Sequence, residues 1–369
     1  MRARIAVFLV IIQSILFFAH WFIYTTWKSF SAFADPPGIT PLEITIAVLS
    51  MSFIAASLLA FRLSNPIVRS FYRIAALWLG AVNFFFLAAC VCWLLYFAAT
   101  LTRQQPDWPR WAAVVFAAAL TATLYGAVNA RWIRTRKVKI ALPTLPDAWR
   151  GRTAALVSDV HLGHVNGAGF LARIVTRIQH LKPDIVLMTG DLYDGTAIDA
   201  IPAAAPLQKL NPPLGTFFVT GNHEEFRDPS QYLEAIRATG VRILENEKLL
   251  IDGLQLVGVP DHASANANLF RTTLDRFSID GSHPSILLSH APHALPISEQ
   301  AGISLQLSGH THGGQIFPFT WFTRKIFREF TKGLHRYGQM QVYTTTGAGT
   351  WGPPLRVGTS PEIILIEFA

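Results

Sequence analysis

The chain has 369 residues, 51% of them hydrophobic and only 15% charged, with a mean hydropathy of +0.33. That excludes a disordered or fibrous chain and points to a protein with a membrane part. The net charge of +8 does not mark a nucleic-acid binder: residues 1–137 hold 12 Lys and Arg against 3 Asp and Glu, whereas residues 138–369 hold 19 against 20.

Four apolar runs come first, at about 5–27, 42–61, 74–99 and 111–130. Each is about 20 residues or longer and free of Lys and Arg, enough for a helix to cross a ~30 Å hydrocarbon core. The first run is too long for a signal-peptide core, lacks a clear small-x-small cleavage site and is followed by three more, so it reads as a span. The gaps carry breakers, Asp35-Pro36-Pro37-Gly38, Asn65-Pro66 and Pro106-Asp107-Trp108-Pro109. Trp21, Trp27, Trp78, Trp93, Trp108, Trp111 and Trp132 gather towards the run ends, as in an aromatic belt. Arg2, Arg4, Arg62, Arg69, Arg73, Arg131, Arg134, Arg136, Lys137 and Lys139 flank one side, against Lys28, Arg103 and Arg110 on the other. The positive-inside rule then predicts a multi-pass cell-membrane protein (inner membrane in a Gram-negative cell) with both termini cytoplasmic. Glu43 sits at a run's mouth. Only His20, near an end, and Asn83 are notable polar residues within the runs, which favours an anchor over a transport path. Cys90 and Cys92 lie in the third run and build no disulfide framework.

A transmembrane region is thus expected over 1–137, and a linker containing Pro143-Thr144-Leu145-Pro146 over 138–150. From 151 to 369 the pattern changes. Short apolar, β-rich runs each end in polar residues: 154–158 before Asp159, 185–189 before Gly190-Asp191, 217–220 before Gly221-Asn222-His223-Glu224, 286–289 before His290, and 305–308 before Gly309-His310-Thr311-His312. Further strands are predicted over 254–259 and 363–368, and helices over 170–181 and 230–239. Strands alternating with helices imply an α/β or mixed layered fold, with ligands at the carboxyl ends of strands. Carboxylate, amide and imidazole donors without thiolate suit Mn, Fe or Zn better than Ca or a structural zinc site. The Asp-x-His and His-x-His spacings predict paired side chains on one side of an extended segment.

These five blocks, in this order from Asp159 to Gln315, resemble the calcineurin-like metallophosphoesterase superfamily. The phrase Gly309-His310-Thr311-His312-Gly313-Gly314-Gln315-Ile316 and the ending Pro361-Glu362-Ile363-Ile364-Leu365-Ile366-Glu367 are similar to its membrane-associated bacterial branch. The resemblance implies a β-sandwich flanked by helices over 151–369. It implies that Asp159, His161, Asp191 and His312 bind one divalent ion and that Asp191, Asn222, His290 and His310 bind a second, with Mn ahead of Fe or Zn. His223 would not be a ligand; it would protonate the leaving alkoxide or steady the transition state. Members often carry Asp where this chain has Glu224, which raises the question of what orients the His223 ring.

The expected function is hydrolysis of a phosphoester or pyrophosphate bond by metal-hydroxide attack at phosphorus, on a lipid-linked or membrane-surface substrate. UDP-diacylglucosamine is one such substrate among similar membrane-associated phosphoesterases. The alternatives are a tethered phosphodiesterase for soluble nucleotides and a non-catalytic metal-binding scaffold. The lipid bilayer is the expected partner, and nucleic acid is not. Weaker candidates are His164 for substrate contact, Asp194 as a turn residue, Asp261, His262 and His293 behind the site, and His283 on a surface turn. The segment Phe317–Tyr337 interleaves aromatics with cations, a composition suited to an anionic membrane interface.

Overall fold

The computed structural model describes residues 2–31, 40–226 and 228–369. The Asp35-Pro36-Pro37-Gly38 gap lies outside the described residues. The chain forms two compact units, Met1–Val128 with Gly352–Leu355 and Asn129–Trp351 with Arg356–Ala369.

In the first unit the four apolar runs form helices α1 (Arg2–Phe30), α2 (Pro41–Ala60), α3 (Pro66–Leu101) and α4 (Trp108–Asn129). All four are long and apolar enough to cross a membrane. Glu43 closes a capping box: its backbone N–H donates to Thr40 Oγ1 at 3.2 Å and its carboxylate accepts from Thr40 N at 2.7 Å. Helix α3 starts eight residues before the expected run, because Asn65 caps it by accepting from Val68 N at 2.9 Å and Pro66 suits the first turn. Its 36 residues span about 54 Å, well over the ~30 Å core. Arg69 and Arg73 therefore lie on the helix rather than in a loop. Helix α1 also runs past the predicted end, so His20 falls in its middle third, not near an end. There its ring donates from Nδ1 to Leu16 O at 2.7 Å and accepts from Trp78 Nε1 at 2.8 Å. Trp93 Nε1 likewise donates to Thr26 Oγ1 at 2.9 Å, so these buried polar groups satisfy one another inside the helix cluster.

The second unit contains strands β1 (Arg134–Ile140), β2 (Thr153–Val157), β3 (Ile185–Thr189), β4 (Thr216–Val219), β5 (Arg242–Ile243), β6 (Glu247–Ile251), β7 (Leu254–Val259), β8 (Ser285–Ser289), β9 (Leu305–Ser308), β10 (Gly333–Tyr337), β11 (Met340–Thr344) and β12 (Glu362–Phe368). Its helices are α5 (Ala168–Leu181), α6 (Ala200–Ala204), α7 (Ser230–Arg237), α8 (Asp261–Ser264), α9 (Ala267–Phe277), α10 (Leu295–Gln300) and α11 (Phe319–Phe327). The strands make two six-stranded sheets, ordered β1-β12-β2-β3-β4-β5 and β10-β11-β9-β8-β7-β6.

Period-two alternation sorts each strand's side chains between layers. Ala154, Leu156, Ile185 and Leu187 of the first sheet meet Leu256, Ile286, Leu288 and Leu307 of the second in one core. The intervening Ala155, Val157, Val186 and Met188 pack under α5, α6 and α7. Val257, Val259 and Leu287 do the same under α9 and α10. The result is a two-sheet sandwich with helices outside both sheets, and its central strands, buried on both faces, read as continuous apolar runs.

Residues 134–140 straddle the expected end of the transmembrane region and the start of the linker, and they are neither helix nor loop. This basic stretch is an edge strand, parallel to β12 over its whole length. Its cations face carboxylates on that neighbour, Arg136–Glu362 at 2.7 Å and Lys139–Glu367 at 3.7 Å. Charge on an edge strand also deters pairing with another chain.

Candidate metal centre

Strands β2, β3, β4 and β5 run parallel, as do β7, β8, β9 and β11. Their carboxyl ends carry the loops with Asp159 and His161, Asp191, Asn222 and His223, His290, and His310 and His312. The structure brings all eight side chains together. Three groups could hold a metal ion: Asp159, His161 and His312; His161, Asp191 and His223; and Asp191, His290 and His310.

The donor atoms crowd one another. His161 Nε2 lies 3.0 Å from His312 Nε2, and His312 Nε2 lies 3.5 Å from Asp159 Oδ1. His290 Nε2 is 3.2 Å from Asp191 Oδ2 and 3.1 Å from Asn222 Oδ1, while His310 Nδ1 is 3.0 Å from the same Asn222 oxygen. Asp191 is common to two groups and lies 3.7 Å from His161 Nε2. Lone pairs gathered this closely call for cations among them, and the mix of carboxylate, amide and imidazole fits divalent transition metals. His161 Nδ1 has no hydrogen-bond partner among the described residues.

The pairs do not sit on extended segments, contrary to the spacing argument. Asp159 (φ 53°), His161 (52°), Asp191 (52°), His310 (68°) and His312 (49°) all adopt left-handed backbone. Non-glycine residues rarely do so, and such strain collects at functional sites. Each turn is held by neighbouring loops, as where Asp159 N donates to Gly190 O at 3.1 Å and His161 N to Asp191 O at 3.0 Å. Gly221 serves close approach: a Cβ there would lie 2.1 Å from Asp191 Oδ1.

Burial sets the charge states. It drives His161 and His312 well below the ordinary histidine range, helped at His312 by the Arg356 charge, and it takes His310 down to about 3 with help from His290. Neutral imidazole is the ligand form. Burial also raises Asp159 to about 6, against the pull of His290. At Asp191 burial pushes up, but the charge and hydrogen bond of His290, with His161 and His223, overcome it and keep the carboxylate ionised. His290 is raised well above its usual value because Asp191 and Asp159 outweigh its burial. Its Nδ1 donates to Thr189 O at 2.7 Å, which aims Nε2 at the centre.

His223 sits apart from the tightest contacts. Its Nδ1 donates to Asp194 O at 2.9 Å, and its Nε2 faces Asp191 Oδ2 at 3.9 Å. Its N–H donates to Asp191 Oδ1 at 3.0 Å, and burial lowers the ring's pKa against the Asp191 charge. The Asp194 carbonyl, not Glu224, thus orients this ring. Glu224 turns back beneath the loops and accepts three backbone N–H bonds, from Asp191 at 2.9 Å, Tyr193 at 2.8 Å and Gly221 at 2.8 Å. Burial and the Asp191 charge raise its carboxyl to about 8, and the N–H donors pull the other way. It ties the Asp191 loop to the Asn222 loop. Glu224→Gln places an NH2 group against N–H donors, so metal affinity measured by calorimetry is expected to fall about 10–100-fold with helix content by circular dichroism unchanged.

The weaker candidates separate. His164 is buried with Nδ1 3.1 Å from Thr196 Oγ1, and Asp194 accepts from Thr196 N at 2.8 Å, so both belong to the loop that supports His223. His262 is exposed and 3.1 Å from Glu225. Asp261 is buried within reach of the His290 charge. His293 stacks on Phe327 and meets the His310 ring edge-on. His283 is on the surface, 3.9 Å from Asp280. The motif reading missed Arg356, which is fully buried and donates to His312 O at 3.0 Å and Gly349 O at 2.5 Å, with Nη2 3.1 Å from His312 Nδ1. A lone Arg between Leu355 and Val357 carries no signal that could have found it.

A model of calcineurin-like phosphoesterases matches residues 153–314, from β2 through the last ligand loop. The chain is 33% identical over 249 residues to an uncharacterized metallophosphoesterase of Campylobacter jejuni, covering 66% of each protein. It is 35% identical over 272 residues to a Danio rerio transmembrane protein with metallophosphoesterase domain, covering 68% of this chain and 61% of that one. The chain thus spans just under two thirds of these two relatives. A metallophosphoesterase of Aquifex aeolicus is 30% identical over 253 residues, which take in 66% of this chain but 95% of that protein. Agreement over nearly the whole of that relative, together with the loops the family model covers, places this chain in the calcineurin-like metallophosphoesterase family.

Proposed function

We propose that this chain is a membrane-anchored phosphoesterase with a dinuclear metal centre, acting on a phosphoester or pyrophosphate of a lipid-linked or membrane-surface substrate. The observation that carries this reading is the convergence of Asp159, His161, Asp191, His223, His290, His310 and His312 into three overlapping candidate metal groups, two of them containing Asp191, with Asn222 Oδ1 3.1 Å from His290 Nε2. Asp159, His161, Asp191 and His312 would hold one divalent ion, and Asp191, Asn222, His290 and His310 the other. Bound there, Mn, or else Fe or Zn, would neutralise phosphoryl charge and provide a nucleophile at neutral pH. Asp191 brings one negative charge to both positions. His223, fixed through Nδ1–H by the Asp194 carbonyl, presents Nε2 to the leaving-group oxygen; with the ring doubly protonated, the form that the Asp191 charge favours, the Nε2 proton passes to that oxygen and leaves a neutral imidazole. Four helices able to span a membrane favour a substrate found at the bilayer. The excess of cations on one set of flanks favours a cytoplasmic catalytic unit.

The test uses the full chain in detergent with bis(p-nitrophenyl) phosphate, p-nitrophenyl phosphate and a phosphorylated lipid in mixed micelles. Chelation is expected to abolish hydrolysis and Mn to restore it. The lipid is expected to exceed the soluble esters in kcat/KM by about tenfold or more, through added binding energy. A folded chain that binds Mn yet turns over none of the three would overturn the proposal.

A further inference from the structure

Helix α11 faces the wrong way for a core helix. Phe319, Phe322 and Ile326 recur at the spacing of one helical face, yet they are 49–73% exposed, and α11 has no buried residue. The adjoining face carries Thr320, Thr323 and Phe327, each only partly exposed. That face is the one against the protein: a Cβ on Gly314 would lie 2.4 Å from Thr320 Cα, and Thr331 Oγ1 donates to Thr323 O at 3.4 Å. Phe327 reaches the metal centre itself, with its ring 5.7 Å from His293 and 6.1 Å from His310.

The exposed stripe is bordered by charge of one sign. Phe317–Tyr337 holds Arg324, Lys325, Arg328, Lys332 and Arg336 against the single carboxylate Glu329. Arg324, Lys325 and Arg328 are exposed. Lys325 Nζ lies 3.6 Å from the Trp321 ring centroid, a cation–π pair that leaves both groups at the surface. Across the site, Trp351 and Phe226 are also more than half exposed and approach the His223 ring to 5.7 Å and 4.4 Å. The backbone of Trp351 is fixed to the ligand loop by both ends of the Gln315 amide, at 2.9 Å and 3.0 Å.

We propose that the outer face of α11, with Trp351 and Phe226 across the site, seats in the headgroup–acyl boundary of an anionic bilayer and so delivers a phosphorylated headgroup to the metal centre. The inference rests on the phosphoesterase reading for what is delivered, but not for the contact itself. Large apolar side chains in a ring of cations match an interface that is apolar below and negatively charged above. Nucleic-acid platforms also pair aromatics with cations. Here, however, an aliphatic residue completes a continuous helical stripe, and the chain carries four membrane-length helices of its own.

The full chain with Cys90→Ser and Cys92→Ser is given one cysteine, at Phe322→Cys or at the exposed control Ser282→Cys, and labelled with an environment-sensitive fluorophore. It is placed in nanodiscs of phosphatidylcholine with or without phosphatidylglycerol. The Phe322 label is expected to be quenched by shallow spin-labelled lipid and shielded from iodide, and the Ser282 label the reverse. Arg324→Glu with Lys325→Glu is expected to weaken the contact in anionic discs by about fivefold per charge. A Phe322 label as open to iodide as the control overturns the proposal. A label shielded from iodide and from lipid quencher also overturns it, because protein then covers the face. Because turnover of both p-nitrophenyl esters and of the phosphorylated lipid is measured on the same samples, lipid quenching without metal-dependent hydrolysis of any of the three overturns the enzymatic reading and leaves the membrane contact standing.

Discussion

Asp191→Asn is expected to lower metal-dependent phosphoester hydrolysis by about ten-thousandfold or more. Asp191 is the one carboxylate common to two of the candidate metal groups, with His290 Nε2 at 3.2 Å and His161 Nε2 at 3.7 Å. The substitution keeps Oδ1 as an acceptor for His223 N, at 3.0 Å in the parent, so the loop hydrogen bond survives while the charge is lost. One negative charge fewer between two dications should release at least one of them. The check is metal content by elemental analysis beside kcat, with circular dichroism to confirm the fold. Full metal occupancy with unchanged turnover would remove Asp191 from the centre.

His223→Asn should leave metal content intact and lower kcat by about 10²–10⁴-fold, the range for loss of a general acid. The effect depends on the leaving group. An alkoxide needs its proton, so an alkyl phosphate or a phosphorylated lipid should show the full loss. The weakly basic p-nitrophenolate leaves without one, and the loss there should be much smaller. Equal losses on both substrates would assign His223 to transition-state binding rather than proton delivery. The geometry suits delivery from the doubly protonated ring: Nδ1–H is committed to the Asp194 carbonyl at 2.9 Å, and Nε2–H, favoured by the Asp191 charge, is left to face a substrate.

Both predictions concern residues legible in the chain before any coordinates, because their signal is local. An apolar strand that stops at Gly-Asp or Gly-Asn-His announces a strand end with metal-type donors on it. Strand β3 and the Asp191 loop fall where the pattern puts them, and β2, β4, β8 and β9 do so within a residue or two at each end. The four spans are equally local, although capping by Asn65 lengthened one of them beyond its apolar run.

Other features were not legible, for reasons that can be named. Strand β1 reads as a basic flank of the last membrane helix, since Arg134, Arg136, Lys137 and Lys139 outnumber its apolar residues. It becomes a strand only because β12, more than 200 residues later, offers an unpaired edge and two carboxylates. Glu224 looks like a neighbour of His223 in sequence, yet its carboxylate serves three amides on other turns of the site. Arg356 gains its meaning only from the candidate ligand His312 folded against it.

Residue types and their periods by themselves pointed to four membrane-length helices, the layered α/β character and metal-type donors at strand ends, since each is a property of a short stretch of chain. Tertiary structure decided which candidate donors lie beside Asp191, the left-handed turns they sit on, what holds His223, and that α11 shows its aromatic face outward. Those depend on contacts between segments far apart in the chain, where the same side chain can be core, ligand support or surface according to what packs against it.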